Sequence, residues 1–259
     1  MRDLRLTLLQ TELHWQAPEA NREKFSTLIA EHASNSDLII LPEMFTTGFT
    51  MEAAENSEPS DGESASWMRE MAISHDVYLT GSVVICEDNC YFNRLFWATP
   101  SGELQSYDKR HLFRMAGEHH KYSAGSERLI VRLGDWRICP LICYDLRFPV
   151  WSRGVNEYDL LLYVANWPAA RRSAWRTLLP ARAVENLSYC AGVNRIGKDG
   201  NGIEYAGGSL LADYLGNLTA DAGDADTALQ VTLSLDKLER YREKFPAWKD
   251  VDQFEIRFD

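Results

Sequence analysis

The stretch Trp-Arg-Ile-Cys-Pro-Leu-Ile-Cys-Tyr-Asp-Leu-Arg-Phe-Pro, at residues 136–149, contains an apolar run that ends at Cys143. A short apolar run between turn signals is typical of a buried strand. In open α/β sheets, reacting groups lie outside the carboxyl ends of the strands. Cys143 therefore occupies a position suited to a nucleophile. The alternative is a core cysteine, because free cysteine is among the most buried residue types.

Apolar runs of the same kind alternate with segments of helical period along the whole chain. Such runs predict strands at 4–9, 37–43, 78–85, 91–99, 104–109, 128–133, 137–142, 159–165, 189–194, 208–212 and 229–233. Helical spacing predicts helices at 19–33, 62–75, 172–186 and 235–244, and a short one near 149. No linker interrupts this alternation, so we predict one α/β domain over residues 1–259.

The composition limits the partners of the chain. A net charge of −11 argues against nucleic acid and anionic membrane surfaces. The five cysteines show no disulfide-framework spacing, which suggests a reducing compartment. The first residues alternate apolar and polar like a strand, unlike a signal peptide, and no run approaches a membrane span. We therefore predict a cytoplasmic protein that acts on a small molecule and needs no metal or other cofactor.

Two further polar residues lie at the carboxyl ends of predicted strands, namely Glu43 and Lys109. Together with Cys143 they suit attack on an amide carbon. A thiol is mostly protonated at neutral pH and needs a base or a cation nearby. A buried carboxylate accepts that proton and later protonates the leaving ammonia, while a lysine stabilises the oxyanion. The backbone N–H of Tyr144 is a second candidate oxyanion donor. Taken singly, Glu43 and Lys109 would be read as surface charges.

These residues lie in motifs that closely resemble the nitrilase superfamily of carbon–nitrogen hydrolases, over nearly the whole chain. The matching segments are Leu41-Pro42-Glu43, residues 107–113 (Tyr-Asp-Lys-Arg-His-Leu-Phe), residues 141–149 (Leu-Ile-Cys-Tyr-Asp-Leu-Arg-Phe-Pro) and residues 182–186 (Arg-Ala-Val-Glu-Asn). The resemblance implies a four-layer αββα sandwich with two mostly parallel central sheets packed face to face. It also implies a homodimer or a larger assembly, with the C-terminal segment at about 234–259 often used in dimer contacts.

The resemblance assigns roles to four residues. It implies that Glu43 is the general base, that Lys109 supports the intermediate and that Cys143 is the nucleophile. A second glutamate often follows the lysine in this superfamily, and Glu118 matches that place. An ordinary loop glutamate is the alternative for Glu118.

Within the superfamily the chain looks most like the omega-amidases, because Tyr-Asp follows Cys143 where nitrile-cleaving relatives carry Trp-Glu. This likeness implies hydrolysis of the distal amide of short 2-oxo dicarboxylic acid monoamides, such as 2-oxoglutaramate and 2-oxosuccinamate, through a cysteine thioester. The substrate carboxylate needs a cation in this acidic protein. We predict Arg147 for it, although Arg147 could instead pair with Asp145 or a neighbouring glutamate. Arg110 and Arg114 lie in the loop after the lysine.

Four further residues are candidates for the walls of the substrate pocket, with core packing as the alternative for the aromatic ones. They are Asn166, Trp167, Phe45 and Tyr144.

Four other readings stay open at this point. A Cys-His-Asp hydrolase would use an imidazole from His111, His119 or His120 with Asp145 as its orienting acid. A zinc site would draw on Cys139, Cys143, His119 and His120, whose spacing does not match that of structural zinc sites. Another small-amide or nitrile hydrolase, or a non-catalytic binding module on the same scaffold, would also fit the motifs.

Overall fold

Two β-sheets form the centre of the computed structural model, which describes residues 2–154 and 156–257. The strands, numbered along the chain, are β1 (Asp3–Gln10), β2 (Leu38–Ile40), β3 (Glu58–Pro59), β4 (Tyr78–Glu87), β5 (Cys90–Ala98), β6 (Leu104–Asp108), β7 (Val131–Leu133), β8 (Trp136–Ile142), β9 (Leu160–Ala165), β10 (Tyr189–Asn194), β11 (Ile196–Lys198), β12 (Glu204–Ala206), β13 (Leu210–Ala212), β14 (Leu218–Asp221) and β15 (Thr227–Ser234).

The first sheet has the order β15-β1-β2-β4-β5-β6, with β3 paired to β4, and the second has the order β14-β13-β10-β9-β8-β7. Parallel pairs occupy the centre of each sheet, and the pairs toward both edges are antiparallel. The expectation of mostly parallel sheets therefore holds only at their centres. The reason is local, since short turns such as Asp88–Asn89, both with positive φ, join successive strands as hairpins.

The helices, like the strands, are numbered along the chain. They are α1 (Pro18–His32), α2 (Ala53–Asn56), α3 (Glu63–His75), α4 (Pro149–Ser152), α5 (Arg172–Asn186) and α6 (Leu235–Lys244). α1 begins with proline, whose missing N–H costs nothing at that position. α3 and α5 end at left-handed residues, Asp76 and Leu187, whose N–H groups close on carbonyls of the last turn.

Apolar side chains hold the layers together. Leu6 and Leu8 of β1 lie in one buried cluster with Ile138 and Leu141 of β8, so the two sheets pack face to face. A second cluster joins the other face of the first sheet to α1 and α3. On the second sheet, Gly192 leaves room for the side chains of α5. The predicted four-layer αββα sandwich is therefore confirmed.

Beyond α6, the chain leaves the sandwich as an exposed tail. Phe245, Val251 and Phe254 expose large apolar side chains there. Residues 258–259 of the predicted dimer segment, like residues 1 and 155 of the predicted domain, lie outside the described residues. No helix in the described part of the chain is long and apolar enough to cross a membrane.

Candidate active site

Cys143 lies directly after β8, as the first residue of a 3₁₀ turn over Cys143–Arg147. Its φ is +43°, a left-handed conformation that non-glycine residues adopt rarely and often at functional sites. Asp145 holds this turn in place, because its buried carboxylate accepts the Ile142 N–H at 3.1 Å and the Tyr107 hydroxyl at 2.7 Å. The thiol consequently lies at the strand end, in a turn that Asp145 anchors to Ile142 and to Tyr107.

Glu43 follows β2 on the opposing sheet and is fully buried. Its Oε1 accepts hydrogen bonds from Lys109 Nζ at 2.9 Å and from Asn93 Nδ2 at 2.8 Å. Its Oε2 accepts the backbone N–H of Asn166 at 2.8 Å. Buried charges need such partners, so three donors from three strand regions fix the orientation of this carboxylate.

Lys109 follows β6 and stands between two carboxylates. Besides Glu43, its Nζ contacts both oxygens of Glu118, at 3.0 and 3.1 Å. The lysine and both glutamates are fully buried. The Phe49 ring lies 5.1 Å from the ammonium and closes it off further. The cation is therefore held in one position by acidic groups on both sides.

The protonation states follow from these contacts. Burial raises the pKa of the Cys143 thiol well above its ordinary value, the charge of Glu43 adds to the rise, and Lys109 opposes it. Burial lowers the pKa of Lys109, but the charges of Glu118 and Glu43 outweigh it and the net pKa is raised. Burial likewise raises the pKa of Glu118, against the effect of Lys109. At neutral pH Cys143 is a thiol and Lys109 is a cation.

A cavity of about 690 Å³ opens onto these groups. Cys143 and Lys109 form part of its wall, together with Tyr144, Asn166 and Trp167. It is therefore large enough for a small organic substrate to reach the thiol and the ammonium together.

Tyr144, Arg147, Asn166 and Trp167 line this cavity. The Tyr144 ring packs edge-on against Phe113, with centroids 5.0 Å apart. Arg147 is exposed at the cavity and lies over the Trp167 ring, at 5.2 Å from its centroid. Asp145 is engaged by the Ile142 N–H and Tyr107, so Arg147 does not pair with it. The side-chain amide of Asn166 also donates a hydrogen bond to the backbone carbonyl of Glu43. Asn166 therefore contacts Glu43 through both its backbone and its side chain.

The structure does not place Phe45, a predicted wall residue, at the cavity. Its ring is fully buried between the first sheet and the helices, 5.5 Å from the rings of both Phe25 and Trp67. Met44, with a φ of +42°, turns the chain between Glu43 and Phe45, and Phe45 enters the helix-side core. Phe49, four residues later, lines the cavity instead.

The histidine and zinc alternatives do not find a matching site in the described residues. His111 does contact Asp145, at 2.8 Å through Nδ1, but its ring stacks on Phe148 and does not line the cavity. The rings of His119 and His120 contact each other, with centroids 3.8 Å apart and planes tilted by 39°, and neither residue lines the cavity. Within residues 2–154 and 156–257, no group of three His, Cys, Asp or Glu residues has a metal-binding arrangement.

Sequence reasoning missed Asn93 and Arg171. Asn93 lies inside β5, where alternation alone marks it as one more buried position. Its side chain reaches Glu43, and its carbonyl accepts the Lys109 N–H at 3.0 Å. A buried asparagine in an apolar strand was the available signal, since buried polar groups need partners. Arg171, just before α5, lines the cavity.

Comparison with known proteins bears on this geometry. The sequence model of the carbon-nitrogen hydrolases matches residues 5–243. This chain belongs to the carbon–nitrogen hydrolase family. The membership confirms the predicted superfamily and the predicted enzyme class, a hydrolase that acts on the carbon–nitrogen bonds of amides.

The similar members of the carbon–nitrogen hydrolase family include two curated amidases. The chain is 51% identical to omega-amidase YafV of Yersinia enterocolitica over 255 residues, 98% of this chain and 99% of that protein. It is 33% identical to the 2-oxoglutaramate amidase of Bacillus subtilis (strain 168) over 251 residues, 95% of this chain and 96% of that protein.

Among solved structures, the chain is similar to XC1258 from Xanthomonas campestris, a CN-hydrolase superfamily protein with an arsenic adduct in its active site. The TM-score is 0.97 at 46% identity, over 99% of this chain and 100% of that one.

Proposed function

We propose that this carbon–nitrogen hydrolase is an omega-amidase, which removes the distal amide of 2-oxoglutaramate, 2-oxosuccinamate and similar 2-oxo dicarboxylic acid monoamides. The observation that carries the proposal is the buried Glu43–Lys109–Glu118 cluster, whose lysine lines one cavity together with Cys143. The 51% identity to an omega-amidase over almost the whole chain supports the substrate class.

In the first half of the reaction, Glu43 accepts the thiol proton while the sulfur of Cys143 attacks the amide carbon. A base is needed because the raised pKa keeps the thiol protonated. The negative charge moves to the amide oxygen, where Lys109 and the Tyr144 N–H stabilise it. The carboxylic acid of Glu43 then protonates the nitrogen and the carbon–nitrogen bond breaks. Ammonia departs, and the acyl group remains as a thioester on Cys143.

In the second half, water attacks the thioester carbon and gives its proton to Glu43. The tetrahedral intermediate expels the sulfur, which regains a proton from Glu43, and the dicarboxylate product is released. In both halves of the reaction Glu118 positions Lys109, from the side opposite Glu43. One amide and one water are consumed, and one acid and one ammonia are formed.

The far carboxylate of the substrate is assigned to Arg147, with Trp167 and Tyr144 as apolar walls. Arg147 is exposed at the cavity, and its guanidinium lies over Trp167 at 5.2 Å. A guanidinium that faces a cavity in an acidic protein suits a carboxylate ligand.

The proposed enzyme is a cytoplasmic, single-domain homodimer. The dimer is supported by exposed apolar residues, since Val184 of α5 and Phe245 after α6 border a second, smaller concavity of about 270 Å³. The cytoplasm is supported by the five free cysteines, of which Cys90 is exposed.

Ammonia release tests the proposed activity on a panel of 2-oxoglutaramate, 2-oxosuccinamate, glutamine, asparagine and a simple nitrile. The expected result is the highest kcat/KM for the two 2-oxo acid monoamides. A higher kcat/KM for the nitrile or for glutamine would replace the proposal with another hydrolase of the same superfamily.

The nucleophile is tested on the same substrates. Cys143→Ala, folded as judged by circular dichroism, should lose most of the activity. Rapid quenching of the parent enzyme should reveal an acyl adduct on Cys143 by peptide mass spectrometry. Retained turnover in Cys143→Ala, or an adduct on Cys139 or Cys190, would move the nucleophile elsewhere.

A further inference from the structure

A second arginine at the cavity, Arg171, forms no salt bridge with any acidic side chain that the structure describes. It lies between β9 and α5, is half-buried, and lines the same cavity as Cys143. Within residues 2–154 and 156–257, no acidic side chain is within salt-bridge distance of Arg171 or of Arg147. Arg171 is partly buried, where a guanidinium without an anion costs solvation energy, and Arg147 is exposed at the same cavity. Together the two cations point to an anionic ligand.

The Arg171 guanidinium is held in place by neutral groups. It lies 5.3 Å from the centroid of the Phe113 ring, and one N–H points at the thioether of Met115, a weak acceptor. The carbonyl of Arg171 accepts the Trp167 indole N–H at 2.8 Å. These contacts restrict the side chain and leave donors for a ligand.

The two arginines share an aromatic floor formed by Phe113, Tyr144 and Trp167. Arg147 lies over Trp167, Arg171 lies over Phe113, and the rings of Phe113 and Tyr144 touch edge to face. Tyr144 follows Cys143 directly. A ligand that reaches both guanidiniums therefore stays beside the thiol along this floor.

The acidic residues of the cavity do not neutralise this pair. Asp199 accepts the Tyr205 hydroxyl at 2.9 Å and two backbone N–H groups of its own loop. Glu52 accepts the side-chain amide of Gln16. Both carboxylates are therefore occupied by other donors. Glu204, the remaining acidic residue of the cavity wall, is exposed and forms no salt bridge with either arginine.

We propose that Arg171 is a specificity-determining residue that binds the carboxylate of the substrate together with Arg147. This inference rests on the proposed function for the identity of the substrate. A carboxylate between two guanidiniums, at the far end of a short acyl chain, selects monoamides of dicarboxylic acids over neutral amides. The role of Arg171 is in substrate binding and not in the chemistry at the amide.

The test compares Arg171→Gln with Arg172→Gln, a matched control next along the chain that does not line the cavity. The substrates are 2-oxoglutaramate and 4-oxopentanamide, in which a methyl group replaces the carboxylate. Loss of a charge-assisted contact should lower kcat/KM of Arg171→Gln for 2-oxoglutaramate by about 10- to 100-fold, mainly through KM. The value for 4-oxopentanamide, and both values for Arg172→Gln, should stay within about twofold of the parent.

A binding experiment tests the role of Arg171 independently of the proposed amidase activity. Calorimetric titration of glutaramate, which carries both a carboxylate and an amide, into Cys143→Ala should show binding that Arg171→Gln/Cys143→Ala loses. If the parent releases no ammonia from 2-oxoglutaramate, the proposed function fails and this titration still decides on Arg171. Equal glutaramate affinity of the two variants, no binding to Cys143→Ala, or equal losses on both amide substrates would overturn the inference. Arg171→Lys, which keeps the charge, should retain intermediate affinity and guards against a folding defect.

Discussion

Asn93 Nδ2 donates a hydrogen bond of 2.8 Å to Oε1 of Glu43, the same oxygen that accepts Lys109 Nζ. The backbone carbonyl of Asn93 also accepts the Lys109 N–H at 3.0 Å. One buried residue of β5 therefore positions both the proposed base and the proposed cation. It does so from behind, because Asn93 is not part of the cavity wall.

The first prediction concerns this positioning residue. Asn93→Ala should lower kcat by about tenfold or more and leave KM within about twofold, because the base loses one of its three donors and the substrate loses no contact. Steady-state kinetics on 2-oxoglutaramate checks the split, with the exposed Asn35→Ala as control. A rise in KM with unchanged kcat would contradict the positioning role.

The reactivity of Cys143 should respond in opposite directions to its two charged neighbours. Glu43 raises the pKa of the thiol and Lys109 lowers it. Glu43→Gln should therefore shift the pH midpoint of iodoacetamide labelling downward, and Lys109→Met should shift it upward. Peptide mass spectrometry across a pH series measures both midpoints.

Two controls accompany the labelling experiment. Glu52→Gln changes a cavity carboxylate that does not perturb the thiol, so its midpoint should equal that of the parent. Cys139, whose pKa burial raises to about 12, should remain unlabelled at neutral pH. Shifts of Glu43→Gln and Lys109→Met in the same direction would contradict the electrostatic account.

Lys109 should be important for stability as well as for catalysis. Lys109→Met leaves Glu43 and Glu118 buried without their cation, and removal of one partner from a buried ionic group costs about 3–5 kcal/mol. Urea unfolding should show this loss, and the added change Glu118→Gln should recover part of it. The exposed Lys121→Met serves as control. A double variant no more stable than Lys109→Met would argue against a coupled cluster.

The proposed mechanism and the Cys-His-Asp alternative predict opposite effects on kcat for two variants, His111→Ala and Glu43→Gln. His111→Ala should keep kcat within about threefold, because the imidazole stacks on Phe148 at 3.7 Å and does not line the cavity. Glu43→Gln should lower kcat by about 10²- to 10⁴-fold, the usual effect of losing a general base. Turnover of both variants on 2-oxoglutaramate decides between the two mechanisms. A larger loss of kcat in His111→Ala than in Glu43→Gln would favour the Cys-His-Asp mechanism.

Local patterns were sufficient for much of the fold and for the three strand-end residues. Alternation at Asp3–Gln10 and apolar runs such as Leu160–Ala165 appear as strands within one or two residues of the predicted bounds. The short strands β3, β11, β12 and β14 were missed, because two to four residues carry too little periodicity. The hairpin β11–β12 nevertheless supplies the cavity wall at Tyr205.

What the sequence by itself determined is the set of strand ends and the residue types that follow them. Cys143, Lys109 and Glu43 could be selected because the carboxyl end of a strand is a local feature and their chemistry is complementary. The 3₁₀ turn at Cys143–Arg147 likewise depends on Asp145 nearby in the chain, through its contact with the Ile142 N–H.

Only the tertiary structure decided which side chains meet around Glu43. Asn93 is 50 residues from Glu43 in the chain, and Asn166 is 123 residues away. The Asn93 contact depends on the strand order within the first sheet, and the Asn166 contact depends on how the two sheets stack. The burial of Phe45 in the helix-side core and the presence of Arg171 and Arg147 at one cavity are likewise tertiary features. Periodicity records which face of a strand is buried, and it carries no information on which distant residue lies opposite.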